Sequence, residues 1–266
     1  MSHHFGSGLR IGGVAAAAAS LAVGAMLQPA YAQEAQSSSS SANSDVDQSS
    51  VLRGLIVNQQ DSRATRYRTP DGAVRFVFDR TAGRVALVRF EGDPEVHVLR
   101  PVAAAGGDEI YRTEDGDVAL RLTRHGTITV YTRRNQMGAP AQEEADVAPL
   151  TPAQVAQAQF EARIRELQRR AALLTGAPVV IVTPRTADAY NAGVVLDAAE
   201  RATQGLEAAP RGVVRRVVIT IGSAPQAQLQ GEDLRIQVAP DMGYAGRPSS
   251  TTIRNVATGE RQGPTQ

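Results

Sequence analysis

Carboxylate and arginine side chains in the middle of the chain have the types and spacing that could do chemistry. Asp108, Glu109 and Asp117 lie close together in the sequence, and Arg121 follows on the next predicted strand. Paired carboxylates can act as the general acid and base of a hydrolase. An aspartate and an arginine on neighbouring strands could instead bind a substrate carboxylate or fix the register of a hairpin. We favour the structural role, keep all four residues as candidate binding residues and assign no catalytic residue.

A second candidate site lies in the glycine-rich loop near the C-terminus. Two glycines and a proline shape the run Gly243–Ser250, in which Arg247, Ser249 and Ser250 could hold an anion. The alternative, which we favour, is a loop that closes the C-terminal sheet. Arg247 therefore joins the candidate binding residues.

The sequence predicts no metal and no cofactor. His97 and His125 could bind zinc with neighbouring carboxylates, but they lack the short spacing that places two ligands on one face. Glu109, Asp115 and Asp117 do not have the spacing of a calcium loop. The chain has no G-x-S-x-G motif and no lysine. Serine acylases of that type, P-loop NTPases and lysine-based Schiff-base enzymes are therefore excluded or strongly disfavoured.

An N-terminal export signal determines where these residues would act. Arg10 precedes an uncharged run, Ile11–Leu27, and the small residues of Ala30-Tyr31-Ala32 follow. A positive start, an apolar stretch and an A-x-A site are the parts of a secretory signal peptide. We predict a signal peptide at residues 1–32, a mature chain that begins near Gln33 and a periplasmic or secreted protein. The alternative is a retained anchor, because the apolar run is close to the minimum length of a membrane span.

The composition limits the partners of the mature protein. The chain contains no cysteine, so it can form no disulfide and cannot carry a lipoprotein anchor. All 28 basic residues are arginine, and beyond the predicted signal 27 arginines balance 27 acidic residues. A nucleic-acid partner is not expected, because binding to phosphates normally requires an excess of positive charge. An envelope protein is the partner that we expect.

The pattern of the next hundred residues predicts a disordered tether and then a small β domain. Residues 33–50 are rich in serine and glutamine and form the tether, while 51–58 are predicted to be a short helix or strand. Apolar alternation and Asp-Gly or His-Gly turns predict an antiparallel meander or small barrel within residues 51–134. Its predicted strands lie around Val74–Asp79, Arg84–Phe90, Glu95–Leu99, Asp108–Arg112, Val118–Leu122 and Thr127–Thr132.

The C-terminal half is predicted to be an α+β module with two helices. After a linker at 135–150, Thr151 and Gln154 form a capping box for a helix that ends at Gly176. Strand, helix and strand then follow in an order that permits a parallel pair, before a hairpin. These elements lie at Pro178–Thr183, Ala187–Leu206, Val213–Ile221, Gln226–Gln230 and Leu234–Val238. The fold class is therefore α+β, with an α+β domain at 151–247 and a flexible tail at 248–266.

Three runs of sequence resemble a known family. They are GDPEVHVLRP from Gly92, GDEIYRTEDGDVALRLTRHGTITVYT from Gly107 and GYAGRPSSTTIR from Gly243. The chain resembles an uncharacterised family of exported alphaproteobacterial proteins, a domain of unknown function, over most of residues 70–255. The resemblance implies an alphaproteobacterial source, an envelope location and one family that spans both halves. It implies no activity, cofactor or catalytic residue.

Three functions remain open at this point. The leading hypothesis is a non-enzymatic soluble envelope protein that binds a partner protein or an envelope component, because no nucleophile, base and orienting group converge in the sequence. The second is an envelope hydrolase that uses Asp108, Glu109 or Asp117 as acid or base. The third is a self-assembling structural protein. Convergence of the carboxylates in a deep pocket would favour the hydrolase.

Overall fold

Residues 63–185 and 188–260 are described by the structure, a computed structural model. The predicted signal peptide, the tether and the short element at 51–58 lie outside the described residues. An antiparallel barrel and then a helix-covered mixed sheet make up the described part, so the fold class is α+β, as predicted.

The first half is a closed barrel in which each strand pairs antiparallel with the next and β1 pairs with β8. The six predicted strands are present as β2 to β7, and the barrel form of the prediction is confirmed. Within the described residues the strands are β1 Ala64–Arg68, β2 Arg75–Asp79, β3 Ala86–Phe90, β4 His97–Ala103, β5 Glu109–Arg112, β6 Val118–Leu122, β7 Ile128–Val130 and β8 Ala139–Asp146.

The interior of the barrel is filled by one set of alternating side chains. Phe76 and Phe78 point inward from β2, and Tyr111 from β5 meets the ring of Phe78 edge to face at 4.8 Å between centroids. Burying a side chain of this size stabilises a fold by about 1.5–3 kcal/mol. Strands β1, β3, β4, β6 and β7 supply the remaining buried residues of this core, which are Tyr67, Ala86, Val88, Leu99, Ala119, Leu120, Ile128 and Val130.

Strand β8 lies inside the segment 135–150, for which the sequence predicted a linker. Most of its residues are exposed, and only Ala139 and Ala141 pack against the barrel core, so its apolar alternation is too short to have revealed it. Charge pairs add to its backbone pairing with β1: Arg63 lies 2.7 Å from Glu143, and Arg68 lies 3.1 Å from Glu144. A strand that faces solvent and closes a barrel is therefore visible only in the structure.

The second half is a four-stranded sheet whose inner face is covered by helices. The sheet order is β11-β12-β10-β9, in which β9 and β12 run parallel to β10 and β11 runs antiparallel to β12. The elements are α1 Gln157–Thr175, β9 Val180–Val182, α2 Ala189–Gly205, β10 Arg216–Ile221, β11 Gln226–Gln230, β12 Asp233–Val238 and α3 Ser250–Thr258. None of the helices in the described residues is both long and apolar enough to cross a membrane.

Two helix predictions differ from the structure. Helix α1 begins at Gln157, without a side-chain cap, so the capping box predicted at Thr151 is wrong. The Val155 amide donates a hydrogen bond to the Ala189 carbonyl of α2. This hydrogen bond holds the residues before α1 against α2 and keeps them extended. Helix α3 lies where a flexible tail was predicted, because Ile253 and Ala257 bury its apolar side in the core. The predicted end of α1 at Gly176, with φ 69°, is confirmed.

Candidate binding cleft between the barrel and helix α3

A buried cluster of four charged residues joins the barrel to the second half. Glu95 lies in the loop between β3 and β4, Asp197 and Arg201 lie one turn apart on α2, and Arg247 lies in the loop before α3. Only 1% of Glu95 and Arg247 and 2% of Arg201 is exposed. The cluster contains two carboxylates and two guanidinium groups, and a third carboxylate, that of the partly exposed Glu200, lies 3.5 Å from Arg201.

Arg247 is the centre of this cluster. Its guanidinium donates to Asp197, to Glu95 at 3.4 Å and to the Val96 carbonyl at 2.8 Å. Arg201 lies 3.8 Å from Glu95 and 3.7 Å from Asp197. Its Nε atom has no hydrogen-bond acceptor among the described residues. Both arginines are buried, so removing one of these carboxylates would leave a guanidinium charge without its full compensation.

The beginning of α3 binds two carboxylates of the barrel. The Ser250 amide and hydroxyl donate to Glu95. The Ser249 amide and the Thr252 hydroxyl donate to Glu114, at 3.2 and 2.9 Å. Negative charge is favoured at this end of a helix, where amides lack partners. The anions next to the predicted anion-binding loop are therefore the chain's own side chains.

The predicted aspartate–arginine pair lies at the other end of the β5–β6 hairpin. Arg121 donates to Asp108 through Nε at 2.9 Å and Nη2 at 2.5 Å, and the Arg124 amide donates to the same carboxylate at 3.3 Å. The hydrogen bonds from Arg121 lower the pKa of Asp108. The pair connects the two strands where the hairpin opens, a position that is compatible with fixing the register.

The three candidate carboxylates do not converge. Asp108 precedes β5 and Asp117 precedes β6, so the antiparallel pairing places them at opposite ends of the hairpin. Glu109 accepts a hydrogen bond from the Tyr111 hydroxyl. Of the five candidate residues, only Asp117 lines the cleft described next. The arrangement that the hydrolase hypothesis required is not formed by these three side chains.

A large cleft of about 1230 Å³ opens above the buried cluster. Its barrel side is formed by the β5–β6 turn and by the segment 131–136, and its other side by the end of α2 and the beginning of α3. Glu95 and Ser250 form part of its floor. Charged side chains line it, with the carboxylates Asp93, Glu114, Asp115 and Asp117 and the basic groups His97, Arg133, Arg134 and Arg254.

The acidic β5–β6 turn makes its own part of the cleft wall negative. Partial burial raises the pKa of Asp115, and the neighbouring carboxylates Glu114 and Asp117 raise it further, while Arg254 opposes the shift. A carboxyl group whose pKa is raised by other carboxylates lies in a negative potential. This part of the cleft therefore favours a positively charged group.

The two histidines that were considered as zinc ligands are not arranged to bind a metal ion together. His97 lies 2.9 Å from Asp93, and this hydrogen bond lowers the pKa of Asp93 although burial opposes it. His125 accepts a hydrogen bond from its neighbour Arg124. Among residues 63–185 and 188–260, no group of three or more histidine and carboxylate side chains is placed to hold a metal ion.

The fold and the cleft define a two-part α+β protein whose halves are joined by a buried charged cluster. The chain belongs to the family of the domain of unknown function DUF4908, whose model matches residues 48–257. The match covers both the barrel and the second half, so one family spans both, as the resemblance implied. No curated protein and no solved structure matches the chain.

The sequence analysis did not identify the residues that join the two halves. Asp197 and Arg201 lie on α2 among alanine and valine residues that face the core. Charged residues one turn apart on an apolar helix face are rarely buried without partners. That pattern was the available signal. It would have indicated that Asp197 and Arg201 form a buried ion pair, but it would not have revealed that Glu95 joins them.

Proposed function

We propose that the protein is an exported, non-enzymatic module of the cell envelope that binds a partner protein in the cleft between its halves. The cleft carries this proposal, because it is large, polar and shared by both halves. Binding sites commonly lie at such junctions. The separation of Asp108 from Asp117 supports binding over the carboxylate-pair hydrolase, since that mechanism needs two carboxylates on either side of one bond.

The chemistry of the cleft favours a positively charged segment of the partner. Glu114, Asp115 and Asp117 lie on one turn, and their mutual repulsion would be relieved by an arginine or lysine side chain. Arg133 and Arg134 lie on another segment of the cleft wall and favour an acidic or carbonyl-rich part of the same partner segment. A partner with both kinds of residue would fit better than a small anion.

Reversing one charge in the cleft should weaken partner binding. Asp117→Arg places a positive group where we expect the partner's own positive group, and we expect at least about fivefold weaker capture from envelope extract. Asp117 is exposed, so the fold should tolerate the change. Asp241→Arg, an equally exposed position outside the cleft, is the matched control. Quantitative mass spectrometry of the captured proteins, followed by titration of the purified partner, measures the effect.

Two results would contradict the binding proposal. One is that the wild-type protein captures nothing that a bare matrix does not. The other is that Asp117→Arg and Asp241→Arg capture the partner equally well, which would place binding elsewhere on the protein.

Export predicts a shortened chain in the envelope fraction. The Ala30-Tyr31-Ala32 site supports cleavage before Gln33, so intact-mass measurement should find a protein that lacks residues 1–32. Ala32→Arg should block the peptidase, because the site accepts only small side chains, and the uncut chain should accumulate. Recovery of the uncut wild-type chain from the cytoplasm would overturn the export proposal and leave the cleft proposal to its own test.

A further inference from the structure

The two edge strands of the four-stranded sheet differ in how well they are protected against pairing with another strand. Strand β9 forms one edge and has only three residues, between Pro178 and Pro184. The amide of Ile181 is covered by a hydrogen bond to the side chain of Gln168 on α1, at 3.0 Å. A short strand, flanking prolines and a covered amide are devices that prevent another strand from pairing there.

Strand β11 forms the opposite edge and is less protected. Pro225 precedes it, but its five residues, QAQLQ, contain no charge, no proline and no bulge, and none of its amides is covered by a side chain among the described residues. In the described part of the chain, its backbone makes hydrogen bonds to β12 and to no other segment. Since the strands of the first half close into a barrel, β11 is the unprotected sheet edge of the described residues.

The hairpin geometry shows which backbone groups of β11 are free. Gly231 and Glu232 form a two-residue turn, with φ 60° at Gly231, closed by the pair Gln230 and Asp233. In such a hairpin the closing residues exchange both hydrogen bonds, and bonded and non-bonded pairs then alternate. The three glutamines therefore bond to β12, while Ala227 and Leu229 direct their N–H and C=O groups outward.

The sequence of β11 is complementary to itself. In an antiparallel pair of two copies about a twofold axis at Gln228, Ala227 lies opposite Leu229 of the second copy, and Gln226 lies opposite Gln230 of that copy. Ala227 and Leu229 are the residues with free backbone groups, so the two copies can form four backbone hydrogen bonds. Glutamine faces glutamine on the exposed side, where each amide both donates and accepts. A small residue faces a larger one on the other side.

From these observations we infer that β11 pairs with β11 of a second copy of this chain and forms a symmetric dimer with a continuous eight-stranded sheet. The isologous contact closes on itself and leaves no further edge of this kind. The contact is short, so the dimer is weak and depends on protein concentration. None of the β11 residues lines the cleft, so the inference is independent of the cleft proposal.

A single cysteine tests this dimer, because the chain has no cysteine of its own. At Gln228 the two copies would form a non-bonded pair with Cα atoms about 4.5 Å apart, within the range of a disulfide. At Gln226 the equivalent atoms would lie about 14 Å apart along the strand direction, which is too far. Under mild oxidation we expect Gln228→Cys to form covalent dimer at least about tenfold faster than Gln226→Cys. Equal rates, or no dimer from either variant, would overturn the inference.

A charge-swap pair gives a second test without cross-linking. Gln228→Glu and Gln228→Lys each place like charges opposite one another on the axis, so each should weaken the dimer about fivefold in sedimentation measurements. An equimolar mixture should restore dimer, because glutamate then faces lysine. Gln228 is exposed, so both variants should keep the wild-type circular dichroism spectrum. A wild-type protein that is monomeric at all concentrations, or a mixture that stays monomeric, would contradict self-pairing.

Discussion

Replacing Arg247 by alanine is expected to lower the free energy of unfolding by about 3–5 kcal/mol, the range seen when one member of a buried ion pair is removed. The variant leaves the buried Glu95 and the largely buried Asp197 beside a single guanidinium, that of Arg201. It also leaves the Val96 carbonyl without its donor. Urea denaturation of the purified protein, followed by circular dichroism, measures the change.

A surface ion pair of comparable geometry is the matched control. Arg170 on α1 lies 2.7 Å from Glu207, but 59% of its side chain is exposed. Exposed pairs contribute little because water and salt screen them, so Arg170→Ala should change stability by less than about 1 kcal/mol. If Arg247→Ala and Arg170→Ala have equal effects, the buried cluster does not hold the two halves together.

Coupling between Glu95 and Arg247 should be measurable in a double-mutant cycle. Glu95→Gln keeps the shape of the side chain and removes its charge, so it should destabilise the wild-type protein more than it destabilises the Arg247→Ala protein. Residues in one network typically show coupling of about 0.5–3 kcal/mol. Additive effects would mean that the two side chains act separately.

The strands were predictable because their signal is local. Phe76 and Phe78 lie two residues apart in one strand and so face the same side of the sheet, and glycine marks the turns between strands. The Asp108–Arg121 pair was predictable for the same reason, since the two residues belong to one hairpin. Strand β8 has no such signal, because a strand that faces solvent and pairs through charges can have almost any polar sequence.

The junction was not predictable because its partners are far apart in the sequence. Arg247 and Glu95 are 152 residues apart, and nothing near either residue specifies the other. The sequence did indicate that Arg247, Ser249 and Ser250 suit an anion, and the structure places carboxylates there. The chemistry of the loop was therefore predictable, whereas the source of its anions depends on the tertiary fold.

Helix α2 approaches the chain before α1 so closely that only glycine fits at one position. A Cβ atom on Gly193 would lie 1.9 Å from the backbone oxygen of Ala153. The segment around Ala153 cannot move away freely, because Val155 is bonded to Ala189 and the Tyr244 hydroxyl donates to the Thr151 carbonyl. The contact explains why this segment remains extended and why α1 begins later than its sequence predicts.

Gly193→Ala should therefore destabilise the protein by at least about 2 kcal/mol, although alanine favours a helix over glycine by about 1 kcal/mol. The added methyl group must push the backbone around Ala153 away from α2, and this movement breaks the hydrogen bonds that fix the segment. Arg169→Ala, at an exposed position of α1, is the control and should change stability by less than about 0.5 kcal/mol. Thermal and urea unfolding of both variants measure the difference. A more stable Gly193→Ala protein would show that helix propensity outweighs the contact and that the segment before α1 can move.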